Sequence, residues 1–201
     1  MNKNWSWVYN PFQKIAGWKA FAIGMVILTF ATVIGYFGNT VFYGISIKSV
    51  LSITWYKAFS LQATGLAAIV IVMWITAILF AKHVRFQDIL GTVTLAKYPL
   101  VLAAILFLVL SNWLNDFNNA MLSSANVQEL LEIFNKLSFA DYVIIILLVM
   151  VSFLILIWTI TLLFNAFRVS TNLKGSKCAL LFIAIMLISE IIIHILITVM
   201  S

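Results

Sequence analysis

Polar residues divide the chain into five long apolar stretches joined by short connections. A bilayer core of about 30 Å takes about 20 helical residues at about 1.5 Å each. Lys19 and Lys48 enclose 28 uncharged residues, Lys57 and Lys82 enclose 24, Lys97 and Asp116 enclose 18, and Asp141 and Arg168 enclose 26. The fifth stretch, from Cys178 to Met200, has 23 residues and is interrupted by Glu190 and His194. One central acid costs about 2.5–3.5 kcal/mol on insertion scales, which the surrounding Leu, Ile, Val, Met and Phe outweigh. The pattern predicts an all-α membrane protein: a five-transmembrane-helix bundle forming one domain over residues 1–201, with spans at about 19–38, 61–81, 95–114, 141–166 and 178–200.

Shorter elements are legible between the spans. Asn10 followed by Pro11 reads as a helix start, opening a short helix with Phe12, Ile15 and Trp18 on one side, laid along the inner surface. Ser138-Phe-Ala-Asp141 has the form of a capping box at the head of span four. Val127, Leu130, Leu131, Phe134 and Leu137 recur at helical spacing opposite Gln128, Glu129, Glu132 and Lys136, which predicts an outer amphipathic helix. Ile47, Val50, Leu51, Thr54 and Ala58 sketch a weaker one. Phe86 to Ala96 is moderately apolar and precedes Pro99, so the proline either kinks a continuous helix or opens a new one after an interfacial segment. Lys97 is expected to snorkel to the inner headgroups. Trp18, Trp55, Tyr56, Tyr98, Trp113 and Tyr142 fall at the predicted interfaces. The small pairs Ala31/Gly35 and Ala63/Ala67 suit close helix packing.

Composition agrees: 64% hydrophobic and 9% charged residues leave too little charge to cover a water-soluble fold of 201 residues. The basic residues alternate in number between connections. Counting alternate segments gives nine on the side of the N-terminus and three on the other, which places the N-terminus inside and the C-terminus outside. The net charge of +6 is therefore a topology signal, with the lipid bilayer as partner and no nucleic acid. Lys82, Arg85, Lys97, Arg168, Lys174 and Lys177 are the candidate inner-face contacts to headgroups or to a protein partner. Cys178 is the only cysteine, so no intramolecular disulfide forms, and it reads as a small packing residue. The first apolar run is too long for a secretory signal and lacks an A-x-A-like site, so it is expected to be retained.

Glu190 and His194 stand four apart and share one face of the last helix. Such a pair serves either as a proton or cation site or as a polar lock fixing the helix to its neighbours, and the lack of a clear third partner favours the lock. His83, between Lys82 and Arg85, is too far from His194 to share a metal, and no zinc spacing, phosphate-binding loop or nucleophile elbow occurs. No cofactor, metal or catalytic residue is expected.

Three blocks resemble the Yip family, the Ypt/Rab-interacting membrane proteins, in its short bacterial branch. They are Asn10-Pro-Phe-Gln-Lys-Ile, then Phe86-Gln-Asp-Ile-Leu with Lys97-Tyr-Pro99, then Trp158 and Phe164-Asn-Ala-Phe-Arg-Val leading to Lys174-Gly-Ser-Lys-Cys-Ala. The resemblance implies a five-span bundle with a cytosolic N-terminus, placed in the bacterial cytoplasmic membrane. The long N-terminal region of the eukaryotic members has no counterpart in the 19 residues before span one, so their GTPase-linked trafficking role is not implied. Two functions lead, ahead of a lipid-acting membrane enzyme, for which acidic and histidine residues do not cluster at either interface. One is a non-enzymatic scaffold or adaptor that binds protein partners or a second copy of itself, or shapes the bilayer. The other is a small transporter or channel subunit using Glu190 and His194, with Ser152, Thr159, Thr161 and Asn112 as further polar groups.

Overall fold

The computed structural model describes residues 10–81, 84–124 and 126–200. A 3-10 turn at Pro11–Gln13 leads to helix α1 (Gly17–Phe37), a hairpin of β1 (Thr40–Tyr43) and β2 (Ser46–Ser49), and helix α2 (Trp55–Phe80). Then come α3 (Phe86–Ala96), α4 (Leu100–Val109), α5 (Ser111–Ser123), α6 (Val127–Lys136), α7 (Phe139–Thr171) and α8 (Gly175–Met200). Five segments are long and apolar enough to cross a bilayer: Gly17–Phe37, Trp55–Phe80, Phe86–Val109, Phe139–Thr171 and Gly175–Val199. Phe30, Leu79, Val109, Phe139 and Leu187 stay more than half exposed along them, an apolar surface that suits lipid rather than water.

The capping chemistry forms where the residues allow it. Ser138 Oγ accepts from Asp141 N at 3.3 Å, and Ser138 N donates back to Asp141 Oδ2 at 2.9 Å, closing the expected box at the head of α7. Trp113 Nε1 donates to the same carboxylate at 2.8 Å and ties α5 to it. The expected amphipathic helix is α6, capped by Asn126, whose side chain accepts from Glu129 N at 2.9 Å. The helix expected after Asn10 does not form. Only a 3-10 turn spans Pro11–Gln13, Gly17 takes φ +61 as the first residue of α1, and Phe12 is buried in the core instead of lying on a surface.

The third span departs most from expectation. It runs Phe86–Val109 rather than 95–114, and it breaks in the middle. Pro99 offers no N–H, so the backbone tightens into i→i−3 bonds: Lys97 N to Thr94 O at 3.4 Å, Tyr98 N to Leu95 O at 3.1 Å, and Leu100 N to Lys97 O at 3.0 Å. A new helix, α4, then starts. Of the two outcomes foreseen for Pro99, a second helix is the one found, but the segment before it belongs to the span itself. Lys97 therefore sits eleven residues into the span, roughly 16 Å along it, and not at its edge. Tyr98 moves with it and packs edge-on against Trp158 at 5.3 Å.

Small residues set the crossings. A Cβ on Gly24 would come within 2.7 Å of the Thr94 and Leu95 backbone, and Gly91 backs directly onto Gly17, so α1 and α3 lie nearly backbone to backbone. Ile69 and Met73 of α2, Ile89 and Val93 of α3, Leu162 and Leu163 of α7, and Ile185 and Ile193 of α8 close one buried core.

Where a weak helix was expected at 47–58, the chain makes a hairpin first, and α2 starts only at Trp55. Thr-Val-Phe-Tyr and Ser-Ile-Lys-Ser pair antiparallel, Tyr43 opposite Ser46, around the two-residue turn Gly44-Ile45. Gly44 adopts φ +58, open to glycine at little cost. Thr40, Val41 and Phe42 are buried, with the Phe42 ring against Gly35, so the Ala31/Gly35 pair admits the hairpin rather than a helix. The tip rests on Gly65, ten residues and roughly 15 Å into α2 from Trp55. The hairpin thus folds back into the bundle to mid-depth. Non-helical backbone is tolerable there because protein wraps it.

Candidate functional site

Glu190 projects from α8 at the level of the hairpin tip, fifteen residues and roughly 22 Å from Gly175. Its Oε1 accepts a hydrogen bond from Ile45 N at 3.0 Å. That N–H lies in the turn, where no strand partner can reach it, and the carboxylate supplies a charge-assisted acceptor. Toward α2 and α8 the tip has no spare space: a Cβ on Gly44 would run into Glu190 and Ile193, and one on Gly65 would run into Gly44 N, whereas toward α7 Ile45 and Ser46 line a groove of about 450 Å³. His194, one turn further, meets Tyr43 edge-to-face at 6.3 Å. The two residues that share a helical face thus both grip the hairpin, Glu190 by its tip amide and His194 by its Tyr43 ring.

Lys97 completes the group from the broken third span. The expected snorkelling to the headgroups is overturned: the side chain is 0% exposed and Nζ makes no hydrogen bond. The span starts earlier than expected, so the stem cannot reach either end. Among the described residues no carboxylate, Glu190 included, stands within 4.0 Å of Nζ. At an effective dielectric of about 20, a pair beyond 4 Å gains less than about 4 kcal/mol, whereas desolvation costs several kcal/mol per ion. The pair does not lower the folding free energy by itself, and costly intramembrane charge is where function concentrates. Ser189, beside Glu190, and Ser152 on α7 are further buried hydroxyls without a hydrogen-bond partner. Thr159 and Thr161 spend their donors on the Ile155 and Ile157 carbonyls, and Asn112 is exposed at the start of α5.

A vestibule of about 540 Å³ opens between the hairpin and α2, lined in part by Tyr43, Lys48, Lys57 and Ser60. Glu190 is not in its wall.

The other inner-face candidates lie away from this site. Arg168 and Lys174 line a cavity of about 310 Å³ with Asn10, Gln13 and Asn172 at the α7–α8 turn. Lys177 Nζ stands 5.7 Å from the Phe80 ring centre, Arg85 is exposed at the head of α3, and Lys82 and His83 fall outside the described residues. Among the described residues, no group of three or more His, Cys, Asp or Glu side chains is placed to hold a metal ion.

Sequence reasoning singled out Glu190 and His194 but not Gly44, Ile45 or Tyr43. The signal was present: Thr-Val-Phe-Tyr and Ile-Ser-Ile, β-branched and aromatic, flank a glycine, the mark of a hairpin. A proline-interrupted span was likewise the pointer to Lys97. Comparison of the chain with family models, curated proteins and solved structures found no match.

Proposed function

We propose that the chain is a Yip-like multi-pass protein of the bacterial cytoplasmic membrane, N-terminus inside and C-terminus outside, that works as a non-enzymatic scaffold or adaptor. The observation that carries this reading is an interior filled by the protein's own hairpin. Ile45 is latched to Glu190, Gly44 is wedged on Gly65, and the acid is not in the vestibule wall. The alternating basic count supports the orientation. In that orientation Arg85, Arg168, Lys174 and Lys177 face anionic headgroups or an acidic protein partner, each worth about 1 kcal/mol near the surface. The hairpin mouth and α6 then face outward. In-cell crosslinking followed by mass spectrometry of the purified protein tests the reading. One stoichiometric partner, or a second copy, is expected, and it should be lost when Arg168 and Lys174 are both replaced by Glu. Intact protein recovered with no reproducible partner contradicts it.

One observation favours a second reading, proton- or ion-coupled transport: Lys97, fully buried with no hydrogen bond at Nζ, lies in the same bundle as the intramembrane Glu190. Proteoliposomes carrying a pH-sensitive dye decide this. The reading expects flux that E190Q and K97M abolish. Wild-type vesicles no leakier than empty ones remove it.

A further inference from the structure

A second feature lies apart from the charge pair: an apolar groove of about 410 Å³ between α1, α2 and α3. The volume falls within the about 300–1,000 Å³ usual for small-molecule sites. Phe21, Met25 and Leu28 of α1 form one wall, Ala63 and Ala67 of α2 the other, and Leu90 of α3 the floor near one end. Ala63 and Ala67 are exposed, so this small-residue pair leaves room instead of receiving a helix. On α2 the lining extends from Phe59 to Ile71, roughly 18 Å of helix, which makes the groove long and narrow.

One polar side chain breaks the apolar lining. Gln62 is only 7% exposed, and both its Nε2 and its Oε1 lack any hydrogen-bond partner. A buried amide with donor and acceptor both unmet costs free energy, and no water is at hand in hydrocarbon to meet them. Thr32, across the groove, donates to Leu28 O at 2.8 Å and keeps its lone pairs. Gln62 lies seven residues from Trp55, roughly 10 Å below the start of α2, too deep for a charged or zwitterionic headgroup.

We infer that the groove binds a long-chain carboxylic acid in its neutral form. The carboxyl pairs with the amide in a ring of two hydrogen bonds: its O–H donates to Gln62 Oε1, and its carbonyl accepts from Nε2. The chain lies along Ala63 and Ala67 toward Phe21. Among acid, ester and alcohol heads, only the acid offers one donor and one acceptor in the planar spacing of a primary amide. An ester has no donor, and an alcohol has both functions on one oxygen.

The test uses the full-length protein in phosphatidylglycerol nanodiscs with a diazirine-bearing palmitic acid. Photolabelling is expected on the α1 and α2 segments that line the groove. Palmitic acid should compete up to about tenfold better than methyl palmitate, the difference of the one O–H donation to Gln62 Oε1 that the ester cannot make. Gln62→Leu should erase that preference while leaving the fold at least as stable, because it removes the orphaned amide. Ala63→Trp, which fills the groove, should abolish the labelling. Equal competition by acid and ester, a preference that survives Gln62→Leu, or label spread along α7 would overturn the assignment and leave bulk lipid as the occupant.

Discussion

The third span and α7 are written in similar apolar residues but meet opposite surroundings. The third span has a mean hydropathy of 2.0 over its most apolar window and is 61% buried there; α7 reaches 3.2 and is 11% buried. α7 runs uninterrupted for 33 residues, and its most apolar window is the most apolar and the least buried of the five. The helix that protein surrounds is the least apolar of the five, breaks before a proline, and carries Thr92, Thr94 and Lys97 fully inside. Hydropathy thus marks which helix the bilayer sees. Polar groups and irregular backbone are tolerated where neighbouring helices and the hairpin replace lipid.

Substitutions on the two sides should differ in size and sign. The largest effect is expected at the hairpin seat. Gly65→Val places side chain where Gly44 N lies, so the tip must lift, at about 3 kcal/mol, seen as a lower thermal midpoint of the purified protein. Glu190→Ala leaves the Ile45 amide unpaired and should cost about 2 kcal/mol, while Glu190→Gln keeps an acceptor and should cost clearly less. An equal loss in both variants would show that the charge, not the latch, matters. Lys97→Met should go the other way, neutral to about 1 kcal/mol stabilising, because it removes an ammonium with no hydrogen bond. Smallest of all is Leu154→Ala on the lipid face of α7, expected within about 0.5 kcal/mol of wild type, since lipid replaces lipid-like contact. A Lys97→Met variant that melts far below wild type would break the contrast, because it would make the buried charge a stabilising contact.

The five spans were readable because a bilayer demands long apolar runs, and Ser138-Asp141 and Asn126 were readable because caps are local chemistry. The hairpin was hidden at the end of the first run of 28 uncharged residues, where continuous hydropathy from α1 masks the start of a β-branched and aromatic strand. Lys97 was misplaced because a basic residue beside a proline resembles a span boundary, and a charge count registers sign without depth. Removing it from the inner set leaves eight basic residues against three. Glu190 stood out as an acid inside a span, but its partner amide at Ile45 is 145 residues away in the chain, a pairing only the fold reveals.

The central claim, a hairpin folded back to mid-depth and latched by Glu190, is tested most directly by cysteine accessibility in whole membranes. With Cys178 replaced by Ser, single cysteines at Ser52 and Ile45 would be exposed to a membrane-impermeant maleimide. Ser52→Cys lines the vestibule and should label fast; Ile45→Cys should resist labelling until Glu190→Ala is added. Labelling of Ile45→Cys at the rate of Ser52→Cys with Glu190 intact would contradict the account.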